Sequence, residues 1–118
     1  MAADPRRFER FFKPGFLSWL AANSHIYAAF EQEALRLIAA GRDHYSARTI
    51  VEVLVHHSIL SATSGTFKIG NDRAPDLARV FAIRHPEHAT FWEYRRPDWP
   101  EFLWAMADLA ATPAHEPA

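Results

Sequence analysis

Between Ile50 and Leu60 the chain places Ile50, Val51, Val53, Leu54, Val55, Ile59 and Leu60, with Glu52 the one carboxylate among them. On a helix of about 3.6 residues per turn these side chains wrap most of the cylinder. A helix apolar nearly all round is normally central in its domain, and that constrains everything packed against it. Ser46 offers the cap that starts this helix, which is expected to run to about Ser61. Arg48 and Glu52, one turn apart, mark its wet stripe. Val55, His56 and Ile59 continue that stripe in mostly apolar form, either covered by another helix of the chain or open as a self-association or partner face.

The flanking segments read as further helices. Asp4-Pro5 has the chemistry of a helix start, and Phe8, Phe11 and Phe12 follow before Pro14-Gly15 breaks the pattern. Phe16, Leu17, Trp19 and Leu20 give a short apolar turn ending near Asn23. Residues 1–22 are therefore expected to be an arm that packs on the domain. Ile26, Tyr27, Phe30, Ala34, Leu37 and Ile38 recur at spacings of three and four, which predicts an amphipathic helix over 24–40 closed by Gly41.

Beyond Ser61 the composition turns to loop, Thr66-Phe67-Lys68-Ile69 alternates like a short strand or half-hairpin, and Gly70-Asn71-Asp72 is turn chemistry. Pro75 opens a helix whose buried side is Leu77, Ala78, Val80 and Phe81, with Arg79 expected to face away from them. That helix stops before Pro86, which opens a short one carrying Phe91 and Trp92. Asp98 to Glu101 resembles a capping box for a last helix to about Ala110, and residues 111–118 read as a frayed tail. The fold expected is all-α: a single compact domain over 23–110 of about five helices, built on residues 44–86. It holds at most one short β-hairpin and is compatible with a helix-turn-helix or winged-helix order.

Composition limits the chemistry. Zero Cys among 118 residues removes disulfides, thiolate metal sites and Cys nucleophiles. The first twelve residues contain no continuous apolar run of the signal-peptide kind, and no apolar run approaches a membrane span. A cytoplasmic protein without a membrane partner is the expectation. His56 and His57 point about 100° apart on a helix, and Pro86 interrupts the spacing of His85 and His88, so no metal ligand set is assigned. There is no G-x-S-x-G elbow, and four Gly leave no phosphate-cradling loop. Neither an enzyme nor a cofactor is expected.

Formal charge is −1, from 13 Lys and Arg against 14 Asp and Glu. Between Arg42 and His85, however, six basic residues face four acidic ones, so that segment is +2 and the remainder −3. In a helix-turn-helix order, Arg42, His44 and Arg48 approach phosphates at the start of one helix. Lys68, Asn71 and Arg73 then lie on the extended turn, and Arg79 and Arg84 on the following helix. A DNA-binding homodimer using Arg42, Arg48, Lys68, Asn71, Arg73, Arg79 and Arg84 is the first functional expectation. The second is a protein-binding inhibitor or assembly factor acting on a host complex, suggested by near-neutral charge and by Trp19, Trp92, Trp99 and Trp104, since Trp and Arg are typical interface anchors.

The runs HYSARTIVEVLVHHS, GTFKIGNDRAPDLARVFAIRHPE and FWEYRR resemble a family of small helical bacterial proteins found also in phages and prophages. The likeness covers about Asn23 to Arg96. The family turn is richer in Asn than Ile69-Gly70-Asn71-Asp72. The resemblance implies a mobile-element context, in which small non-enzymatic proteins are DNA-binding regulators or stoichiometric inhibitors of host machines.

Overall fold

Prolines, glycines and small polar residues divide the chain into helices where their chemistry requires it. The computed structural model describes residues 4–61, 73–93 and 99–111. They form five α-helices, α1 (Phe16–Ala22), α2 (Ser24–Ala39), α3 (Ala47–Ser61), α4 (Ala74–Arg84) and α5 (Trp99–Ala111). Two 3-10 helices, η1 (Pro5–Phe11) and η2 (Pro86–Phe91), complete an all-α globule. Among the described residues there is no strand, only an isolated parallel bridge between Tyr45 and Trp92. The hairpin expected at residues 66–69 lies outside the described residues, as does the tail from residue 112.

The local signals act as their chemistry demands. Asp4 accepts the Arg6 backbone N–H at 3.0 Å and starts η1. Gly41, at φ +94°, takes the left-handed conformation that ends α2. The Arg42 N–H donates to the Leu37 carbonyl and the Gly41 N–H to that of Ile38, both at 3.0 Å, the paired bonds of a Schellman cap. Asn23 sits between α1 and α2 and turns backward: its Nδ2–H donates to the Trp19 carbonyl at 2.9 Å and closes α1.

The core is one cluster to which every helix contributes. α2 supplies Tyr27, Phe30, Ala34 and Leu37 to it and also buries Ile26, the face its periodicity predicts. Trp92 is fully buried, stacked on Phe30 with ring centroids 5.3 Å apart and edge-on to Phe81 at 5.4 Å. The first arm belongs to this core as well. Phe8 and Phe11 meet Phe102 of α5 edge-on at 5.7 and 5.3 Å. Each such fully buried ring contributes about 1.5–3 kcal/mol through the water it sheds.

The central helix is α4 rather than α3. Ile50, Val51 and Leu54 of α3 are buried, but Val53 and Val55 are only half-buried. Nine of the eleven residues of α4 are buried, including Asp76 at 1% and Arg79 at 0% exposure. The expectation that Arg79 faces outward is thus corrected. The helix is enclosed by η1, η2, α2 and α3, which leaves its polar stripe no water to face. Inside, Arg79 Nη1–H donates to Asp76 Oδ1 at 3.3 Å, and the Lys13 backbone N–H donates to Asp76 Oδ2 at 3.2 Å.

Removing one partner of a buried ion pair strands the other charge, so Asp76→Ala is expected to cost about 3–5 kcal/mol in urea unfolding. The double variant Asp76→Leu/Arg79→Met should recover most of that loss. A single variant within about 0.5 kcal/mol of the parent would show that the pair is not internal.

Candidate functional site

Five of the DNA-binding residues named from the sequence are described, and Arg73, Arg79 and Arg84 among them lie apart from one another. Arg73, half-buried before α4, holds its guanidinium 4.4 Å from the Trp19 ring centroid. Arg84, exposed at the far end of α4, lies over Tyr27 at 5.2 Å. Arg79 is internal, its guanidinium carbon 5.6 Å from the Phe102 ring centroid. Lys68 and Asn71 lie outside the described residues. A helix-turn-helix order would make α4 the recognition helix, yet Arg84 is its one exposed residue, so α4 has no free face to lay in a groove.

Of the five described, Arg42 and Arg48 border one basin. After the Schellman turn that closes α2, Arg42, Asp43 and His44 run outside any regular element, and Tyr45 then pairs with the end of η2 and the chain beyond it. The Tyr45 N–H donates to the Phe91 carbonyl at 3.0 Å, and the Glu93 N–H donates to the Tyr45 carbonyl at 2.9 Å. The Tyr45 and Phe91 rings stack, 6.3 Å apart and 4° from parallel. Ser46 follows as the cap of α3, its Oγ accepting the Thr49 N–H at 3.4 Å.

The result is a shallow basin of about 490 Å³ at the start of α3, lined in part by Arg42, His44, Arg48, Glu52 and Glu93. The His44 ring is steered by its Nδ1–H, which donates to the Asp43 carbonyl at 3.2 Å. The helix N-terminus and two arginines favour an anion there. Glu93 and Glu52 oppose it, and Glu52 lies 3.5 Å from Arg48 across one turn.

Of the partner face named from the sequence, Val55 and His56 are described. Val55 packs against the core and His56 is exposed beside His57, with ring centroids 6.5 Å apart. The Ile59 side chain lies outside the described residues. Among the described residues, the large apolar side chain that does stand in water is Trp104 of α5, 70% exposed. It borders a groove of about 390 Å³ with Arg10, Glu101, Ala105 and Asp108. The sequence named Trp104 together with Trp19, Trp92 and Trp99 as interface anchors without telling them apart; its place two residues from the buried Phe102 is the signal that separates it.

His85 serves packing. His85 Nε2–H donates to Glu31 Oε2 at 2.8 Å, tying the end of α4 to α2, while its ring lies against Phe81 at 4.7 Å. Tyr27 O–H donates to the same Glu31 oxygen at 3.1 Å. Among the described residues no three His, Asp or Glu side chains are grouped to hold a metal ion. Nor is any helix among them long and apolar enough to cross a membrane.

No family model, curated protein or solved structure matches the chain. The sites therefore have to speak for themselves.

The Tyr27 hydroxyl has its pKa pushed far above the ordinary 10.0, first by burial and then by the Glu31 carboxylate, with Arg84 opposing. A group that holds its proton more tightly when folded leaves stability intact below the unfolded pKa and erodes it above. Stability should therefore fall as pH rises past about 10. Alkaline absorbance titration should show Tyr27 ionising only with unfolding, and Tyr27→Phe should flatten the loss. Ionisation of all three tyrosines before any loss of helix would contradict this burial.

Proposed function

We propose that this protein is a non-catalytic, protein-binding module that engages its partner through the outer face of α5. The observation that carries the reading is Trp104, 70% exposed on a helix whose neighbouring Phe102 is fully buried. Folding alone gives no reason to leave an indole in water, and Trp anchors a large share of the energy at protein interfaces. The mobile-element context implied by the sequence resemblance suits a stoichiometric binder of a host complex. Ser46 serves as a helix cap and His85 as a packing group, so both of these candidate chemical groups are already employed in holding the fold.

A Trp104→Ala variant should keep its urea midpoint, because an exposed side chain contributes within about 0.5 kcal/mol to folding. It should lose the proteins that the parent retains in affinity capture from a bacterial lysate. Identical retention by parent and variant would end this assignment.

The second reading is contact with DNA phosphates at the α3 basin, favoured by the meeting of Arg42, His44 and Arg48. Two arginines neutralise about two phosphates, so log affinity should fall with log salt at a slope near about −2. Alanine at Arg42 and Arg48 should abolish the binding and its slope together. Absence of binding to random duplex at low salt, or a slope unchanged in the variant, would remove the DNA reading.

A further inference from the structure

His85 ends α4 and begins η2, and a carboxylate reaches it from each side. Its Nε2 lies 2.8 Å from Glu31 Oε2 on α2, and its Nδ1 lies 3.8 Å from Glu87 Oε2 on η2. An ionised carboxylate only accepts, so the single proton of the neutral imidazole sits on Nε2 and serves Glu31. Nδ1 then turns a lone pair toward Glu87, and the two repel. A proton on Nδ1 reverses that second contact, and one ring then ties α2, α4 and η2 together.

Other titratable and charged groups reach this joint from all three elements. On α2, Tyr27 O–H donates to the same Glu31 oxygen and, with its pKa pushed far above 10.0, keeps its proton. On η2, His88 Nε2 stands 3.8 Å from Glu87 Oε2 and competes for it. On α4, Arg84 is the opposing cation, seated over the Tyr27 ring, so both carboxylates are left to Tyr27 and the histidines. We propose that His85 is a pH-sensitive clasp: its imidazolium bridges Glu31 of α2 and Glu87 of η2, and loss of the Nδ1 proton opens the Glu87 half and loosens η2. The linkage has one sign. A cation bonded only in the folded chain adds stability while it is charged, and that stability is lost as pH rises through the histidine range.

The test is urea unfolding of the full chain at about pH 6 and about pH 8, above the ordinary carboxylate range and below that of tyrosine. His85→Gln keeps a donor for Glu31 but cannot gain a proton. The folding equilibrium constant of the parent, divided by that of His85→Gln, should be roughly threefold higher at the lower pH, the size of a partly exposed ion pair. Glu87→Gln should remove most of that difference, and His88→Gln, which removes the competitor, should keep it. Parallel behaviour of parent and His85→Gln across the window would overturn the clasp, as would a difference that survives Glu87→Gln.

Two readouts on the parent chain decide the matter even if His85→Gln folds poorly. Ring-nitrogen NMR shifts should place the proton of the neutral His85 on Nε2, with Nδ1 gaining its proton as pH falls. The end of η2 accepts the Tyr45 N–H at the Phe91 carbonyl, so protection of that amide from exchange, corrected for the intrinsic rate, should rise at the lower pH. A neutral ring protonated on Nδ1, or protection at Tyr45 that ignores pH, would overturn the proposal.

Discussion

Everything in this fold leans on α4, and α4 can be enclosed only because Asp76 and Arg79 cancel each other inside it. Taking an unpaired carboxylate and guanidinium out of water costs several kcal/mol each. Placed three residues apart on one helix, they meet at 3.3 Å with side chains 1% and 0% exposed. The Lys13 backbone N–H adds a further donor to the carboxylate, so the pair also fastens the first arm to the central helix. With the charge problem solved locally, Leu77, Val80, Phe81 and Ile83 can face several neighbours at once. That is why η1, η2, α2 and α3 can all pack against one eleven-residue helix.

What was legible in the sequence is what depends on near neighbours. Asp4-Pro5, Gly41, Ser46 and Pro86 mark helix ends through bonds and dihedral limits spanning a few residues, and each acts at the place it announces. The apolar face of α2 was legible for the same reason, since its period is a property of one helix. Which helix sits in the middle was not. The apolar count favoured α3, but enclosure depends on how many partners surround a helix, and that is set by the whole topology. Arg79 illustrates the point. A guanidinium belongs in water by default, and only its spacing from Asp76 hinted that the two could be buried together.

The candidate sites divide along the same line. Arg42 and Arg48 meet because a short capped turn separates them, so local geometry suffices. Arg73 and Arg84 stand at opposite ends of α4 against different aromatic rings, Trp19 and Tyr27, and no local pattern distinguished them from a shared face. The α5 groove escaped notice because it is defined by what fails to be covered. Phe102 and Trp104 are two residues apart in sequence, yet one is sealed against Phe8 and Phe11 while the other stands in solvent.

The union of the chain's beginning with its later helices sets a schedule for synthesis. The Lys13 amide waits for a carboxylate 63 residues further on, and Phe8 and Phe11 wait longer still, for Phe102. At about 5–20 residues per second of translation, the arm emerges several seconds before Asp76 is made. Throughout that interval Phe16 can already stack on Phe12 and on Trp19, while Phe8 and Phe11 lack the ring that covers them in the folded chain. The first arm can therefore close on its full complement of rings only after α5 has been made.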